Sequence, residues 1–317
     1  MAGLTNCEAA RLDAAIGLSE LFLSLPDSDK EEGISRTIRQ KWKGGTVVIM
    51  GRVMGAFQQD ILFALLAAAF EAGEVCKPGD DLLADDQMNM GLADKLDVIN
   101  VQLSYPRLAE LSGHRNSTKF RAAARDAVQM LAGVTVRGEG ADGSFAIQRL
   151  IAGAAGKGRA GVSVTLNWRL TLAVLGRGIF GAISLAERHK LNKTARIAHA
   201  WLACWLGAKS QNSIGVAALA GHIFPSSKKP SERTVRYQVA ATEKALMSIA
   251  ELGDWNVALT DGVARIKRVP ALPQNGAKKS TSIAAKQYQR CRSKTRKPSI
   301  HAGYMGVLKT VPILLQG

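Results

Sequence analysis

Apolar residues recur at three- to four-residue intervals from Leu12 through Ile16 to Phe22 and Leu23, which predicts one loosely attached amphipathic helix within residues 1–25. The polar run Pro26 to Lys43 reads as a linker, and the β-branched stretch Thr46-Val-Val-Ile-Met50 as a short strand. From there one pattern comes twice: long apolar helix, short helix, turn, second helix, strand, turn, strand. The first copy opens with a helix over Phe57 to Ala72 and is interrupted by an acidic loop from Lys77 to Asp97. It resumes with a short helix at Ser104 to Ser112, a turn at Gly113-His114-Arg115-Asn116, and a helix from Ser117 to Ala132. The apolar side of that helix is Phe120, Ala124, Ala127 and Leu131, and its polar side carries Thr118, Lys119, Arg121 and Arg125. Val134–Arg137 and Ser144–Leu150, on either side of a Gly-rich turn, predict a hairpin.

A Gly-rich connector (Ala152 to Gly161), a strand at Val162 to Leu166 and a mixed segment lead to the second copy. Its opening helix is Lys193 to Leu206, in which Trp201 and Trp205 are read as core. Next come a short helix at Val216 to His222 and a turn containing Lys228 and Lys229. Ser231 caps the following helix; its buried face is Val235, Val239, Thr242, Leu246 and Ile249, and Arg233, Arg236, Tyr237 and Lys244 face away. A second hairpin, Trp255–Thr260 and Val263–Val269, bears Arg265, Lys267 and Arg268. The pattern predicts an α+β, mainly helical chain with two tandem winged helix-turn-helix domains. The boundaries are an N-terminal helix and linker at 1–44, a first domain at 45–175, a second at 176–269 and a basic, flexible tail at 270–317.

Charge gives these elements a direction. The 317 residues carry 42 Lys and Arg against 26 Asp and Glu, a net charge of +16, so the surface suits an anionic partner. Nine of the basic residues and none of the acidic ones lie in 270–317, which leaves 33 basic and 26 acidic side chains, or +7, for the rest. Acids near the outward arginines are few: Asp126 in the first copy, Glu232 and Glu243 in the second. A helix with an unpaired basic face, following a short helix and a turn, is the arrangement that enters the major groove of duplex DNA. Arg reads guanine there through two parallel hydrogen bonds, and Lys grips phosphate. Cys7, Cys76, Cys204 and Cys291 lie far apart without a CxxC pair, so neither structural zinc nor a disulfide framework is expected. The ten-residue apolar stretch Ile61 to Phe70 is about half of what a membrane span needs. No membrane partner and a cytoplasmic, bacterial setting are expected.

Enzymatic readings find little support. Gly153 to Gly161 resembles a phosphate-binding loop, but Ile151 stands where its first glycine belongs and Gly158 where Ser or Thr would hold magnesium. The five histidines are solitary, so the His-x-His pair of a nickase is missing. The carboxylate pairs Asp80-Asp81 and Asp85-Asp86 have no companion His. The reading is therefore of no enzyme, no cofactor and no metal.

Ala195-Arg-Ile-Ala-His-Ala-Trp-Leu-Ala-Cys-Trp-Leu-Gly207, then Ser213-Ile-Gly-Val-Ala-Ala-Leu-Ala-Gly-His-Ile-Phe-Pro-Ser226, then Ser231-Glu-Arg-Thr-Val-Arg-Tyr-Gln, resembles RepC, the iteron-binding replication initiators of IncQ-type plasmids. Ile249-Ala-Glu-Leu-Gly-Asp-Trp255 matches their helix-to-strand junction with one inserted Asp, and the likeness spans about residues 45 to 269. The resemblance implies two winged-helix domains that bind direct repeats (iterons) at a plasmid origin, promote melting of adjacent AT-rich DNA and recruit a plasmid replicative helicase and primase. Carried over by position, Lys228, Lys229, Ser231, Arg233, Thr234, Arg236 and Tyr237 form one major-groove reader. Arg115, Asn116, Ser117, Lys119, Arg121 and Arg125 form the other. A homodimer, joined through the first domain's strand or the N-terminal helix, stays open beside a monomer. The alternative is a winged-helix transcriptional repressor or autoregulator of a plasmid operon, which uses the same surfaces on a palindrome. A nicking or primase enzyme is the third reading, which cleavage of supercoiled origin DNA would test.

Overall fold

The computed structural model describes residues 9–25, 35–42, 45–72, 74–76, 98–140, 143–156, 158, 160–177, 179–206, 210–224 and 230–269. All belong to one compact unit, Met1–Ala277. The acidic loop at 77–97, Lys228, Lys229 and the tail from 270 lie outside the described residues. The chain opens with β1 (Ala9–Asp13), the single turn α1 (Ala14–Gly17), β2 (Ser35–Trp42) and β3 (Gly45–Arg52). There follow α2 (Ala56–Ala72), β4 (Glu74–Cys76), β5 (Val98–Ser104), α3 (Tyr105–Ser112), α4 (Thr118–Ala132), β6 (Thr135–Gly140), β7 (Phe145–Arg149), β8 (Ile151–Gly156) and β9 (Gly161–Leu166). Next are α5 (Trp168–Val174), β10 (Phe180–Ser184), α6 (Leu185–His189), α7 (Lys193–Trp205), β11 (Gln211–Gly215), α8 (Val216–Ile223), α9 (Glu232–Ala250), β12 (Trp255–Thr260) and β13 (Val263–Arg268). Helix makes up 45% and strand 35% of the described residues, so the fold is mixed α/β and not mainly helical.

The duplicated pattern is real in topology. In the second half, α7, β11, α8 and α9 are followed by the hairpin β12–β13, and the antiparallel sheet runs β11-β13-β12. In the first half, α2, β5, α3 and α4 are followed by β8–β9, and the antiparallel sheet runs β5-β9-β8 with β4 added at its edge. The hairpin that matches β12–β13 is therefore β8–β9, which covers the Gly-rich segment read above as a connector. Ile151-Ala-Gly-Ala-Ala-Gly156 has one β-branched residue and no alternation, and the backbone ladder to β9 makes it a strand. The hairpin expected in that place, β6–β7, belongs to a separate four-stranded sheet of order β2-β3-β6-β7.

The N-terminal segment is not a loosely attached helix. Ala10, Leu12, Ile16, Leu21 and Leu23 are at most 1% exposed, and β1 pairs antiparallel with β10. Asp13 caps α1 by accepting the Ile16 N–H, and it pairs with buried Arg169 at 2.9 Å. Ser24 donates its N–H to Ile223 O at 2.7 Å, and Leu23 donates to Met54 O at 2.9 Å, so the segment touches both halves. At the centre lies α2, buried on all sides from Ile61 to Ala69 and packed against α3, α4, α5, α7, β1 and β5.

Candidate nucleic-acid interface

Helix α9 divides into two parts. Its C-terminal part buries Thr242, Ala245, Leu246 and Ile249 in the core shared with α7 and α8. Its N-terminal part does not pack: residues 230–237 are all exposed, Tyr237 at 69% and Val235 at 39%. Val235, expected on the buried face, is thus open to solvent, because the body of the domain ends before it. Ser231 holds the projecting end in helical form, its Oγ accepting the Thr234 N–H at 3.2 Å and lying 2.8 Å from Thr234 Oγ1. Arg236 reaches back one turn to Glu232, a fully solvated pair that contributes little and gives way to a stronger anion. Among the described residues no carboxylate pairs with Arg233.

Behind α9, one face of the sheet β11-β13-β12 is solvent-exposed. Arg265 and Lys267 alternate outward on β13 while Ala264 and Ile266 are buried. Asp261 and Gly262, both at positive φ, make the tight turn between the strands. Arg268 faces the other way: it donates to Ala182 O at 2.6 Å and stacks over Trp255, and burial lowers its pKa. It braces the sheet on α7 and β10 and leaves the exposed basic set.

Helix α4 is held differently. Ser117 caps it through the Phe120 N–H at 3.1 Å, and Phe120, Ala124, Ala127 and Leu131 are buried as the spacing predicts. Arg115, Lys119 and Arg125 are exposed, and among the described residues none has an ion-pair partner. Asn116 and Arg121 engage each other, with Arg121 Nε donating to Asn116 Oδ1 at 2.9 Å. The turn before α4 is fixed from below. Gly113 takes φ +72°, and a Cβ there would come within 2.4 Å of the His189 ring. The structure thus brings Arg115, Lys119 and Arg125 onto one exposed segment, and Ser231, Arg233, Thr234, Arg236 and Tyr237 onto another.

A buried ionic cluster that sequence reasoning missed lies beneath the first segment. Asp60 of α2, 2% exposed, pairs with Arg188 at 2.6 Å and Arg196 at 2.7 Å, with His114 Nε2 at 3.4 Å. Arg188, 1% exposed, also donates to Gln59 Oε1 and to Arg196 O, each at 2.7 Å. Burial pushes the Asp60 carboxyl up, but Arg188, His114 and Arg196 together outweigh it and hold the group below its usual range. The signal in the sequence was Asp60 directly before the apolar run Ile61 to Phe70, where a carboxylate has to be paired to be buried. A second group joins α6 to the sheet: Glu187 Oε2 meets His199 Nε2 at 3.1 Å and the Trp255 Nε1–H at 3.3 Å. Burial lowers the His199 pKa despite that carboxylate.

The Gly153–Gly161 run lies on the hairpin β8–β9 and does not lead into a helix N-terminus, so the phosphate cradle of a P-loop is not built there. Among the described residues no cluster of three or more His, Cys, Asp or Glu is placed to hold a metal ion, and no helix is long and apolar enough to cross a membrane.

With this geometry established, the family Replication protein C (RepC) matches residues 8–269. The chain belongs to that family. Membership supports a role as a replication initiator and bears out the RepC resemblance at the level of the family. Among solved structures, a crystal structure of domains 2 and 3 of RctB is similar, with a TM-score of 0.51 and 12% identity over 81% of this chain and 99% of that one. Another crystal structure of RctB domains 2–3 aligns with a TM-score of 0.48 and 12% identity over 86% and 99%. At this identity the likeness concerns the fold. No curated protein matches the chain.

Proposed function

We propose that this replication protein is an origin-binding initiator that grips duplex DNA with two winged helix-turn-helix units and has no catalysis of its own. The first unit is α2, β5, α3, α4 and the hairpin β8–β9; the second is α7, β11, α8, α9 and β12–β13. Helices α4 and α9 are the readers. The observation that carries the reading is the run of exposed residues 230–237, where a capped helix end presents Arg233, Arg236 and Tyr237 free of the protein body. A helix end of that kind fits a major groove about 12 Å wide. Arg265 and Lys267 on the second hairpin, with Lys228 and Lys229 just before α9 in the sequence, supply phosphate contacts. Two readers in one chain meet successive major grooves about 10 base pairs apart, which suits direct repeats. Melting of neighbouring AT-rich DNA and recruitment of a replicative helicase and primase complete the role.

Selection of bound duplexes from random DNA tests it. The expected result is one motif with two blocks of preference about one helical turn apart. A palindromic motif points to the repressor, and no enriched motif removes sequence-specific binding.

A further inference from the structure

The sheet β2-β3-β6-β7 has one face in the core and one in solvent. Val47, Ile49 and Val136 point inward and join the main hydrophobic cluster. The register lines up the other face in three rungs: Lys41, Thr46, Glu139 and Phe145; Arg39, Val48, Arg137 and Ile147; Thr37, Met50, Thr135 and Arg149. Arg52, paired with Ser35, extends it. Five cations against one carboxylate give this face four net positive charges. Its exposed large apolar groups lie on the edge strand β7, Phe145 at 55% and Ile147 at 38% exposure, while Val48 and Met50 on β3 are buried and half-buried. The Arg137 guanidinium sits 4.9 Å from the Phe145 ring centroid, and its Nε is 3.0 Å from Glu139. Val48 is 3% exposed yet stands outside the main core.

We infer that this face binds single-stranded DNA. An exposed aromatic ring among cations matches a strand whose bases are free to stack and whose backbone is anionic. Two other occupants fit less well. A second copy of the chain, face to face, sets cations against cations. A duplex groove is too narrow, because four strands about 4.8 Å apart span roughly 14 Å against about 12 Å for the major groove. The sheet is not part of the recurring units, since β6–β7 is inserted between α4 and β8 of the first. The inference rests on membership in a replication-protein family and not on the roles given to α4 and α9.

The full chain is titrated by fluorescence anisotropy with an oligo-dT of about 20 nucleotides and, separately, with its selected duplex. Phe145→Ala is expected to weaken dT binding between about fivefold and a hundredfold, the effect of losing one stacked base, and to leave duplex binding unchanged. Arg39→Ala and Arg149→Ala each flatten the salt dependence of dT binding by about 0.7. Phe145→Trp retains dT binding and its emission is quenched when unlabelled dT is added. Arg233→Ala with Arg236→Ala lowers duplex binding and spares dT, so failure of the helix reading is distinguishable from failure of this one. Unchanged dT affinity in Phe145→Ala overturns the inference. So does a parallel fall in dT and duplex binding, or a dimer that Phe145→Ala turns into a monomer in sedimentation equilibrium.

Discussion

The two units repeat one topology, yet their second helices are held in opposite ways. Helix α4 lies on the core over its whole length, its leading turn pinned by Gly113 against His189 and its Arg121 tied to Asn116. Helix α9 is anchored from Val239 onward and leaves its first two turns standing free. A fully seated helix presents fixed charge, whereas a projecting one can enter a groove with side chains on every side. On the proposed function both helices meet the duplex, and the projecting α9 would read bases from more of its sides than the seated α4.

The largest blow to this arrangement is Asp60→Ala. It strands Arg188 without its counter-charge beneath the turn that leads into α4, and costs about 3–5 kcal/mol in urea unfolding. Retained stability would mean that the cluster does not support the first unit. Next, Arg236→Ala costs ~1–3 kcal/mol for the cognate duplex and relaxes base preference, while Arg125→Ala weakens all sequences evenly and lowers the salt slope by about one. Equal behaviour of the two substitutions in competition titrations would erase the distinction between the helices. The caps sharpen it further. Ser117→Ala lowers global stability by about 1 kcal/mol, whereas Ser231→Ala frays an end that packs on nothing and shows in DNA affinity before it shows in the melting temperature.

The smallest effect is in pH. The His199 pKa lies below its ordinary 6.5 because of burial, so the unfolded chain binds the proton first. That contribution is present above about pH 6.5 and is lost as the pH falls towards the lowered folded value, and His189 adds to it with the same sign. The melting temperature therefore drops on acidification below about pH 6.5, less steeply in His199→Phe; parallel curves would exclude His199 as a source.

What the sequence made legible follows from where side chains decide structure. Ser231 caps its helix, the Phe120 to Leu131 spacing marks a buried face, and β12–β13 turns at Asp261-Gly262, each a local signal. Elements set by partners were hidden. Strand β2 is Ser-Arg-Thr-Ile-Arg-Gln-Lys-Trp, polar enough to pass for a linker, because one of its faces is open to solvent. Strands β8 and β11 are small or polar and take their form from β9 and β13. Of the candidate site, the basic residues were visible in composition, but that Arg268 turns inward and Val235 outward depends on where the body ends. The charged cluster around Asp60 joins residues more than a hundred positions apart, beyond any spacing rule.

The pairing of β1 with β10 governs the order in which the molecule is assembled. Residues 9–13 find their partners only at 180–184, and Ser24 waits for Ile223. During synthesis β1 stays without its neighbour until β10, about 170 residues later in the chain, has emerged, so neither half can be completed alone. Removal of residues 9–25 is expected to open the seam along which the halves are sewn together.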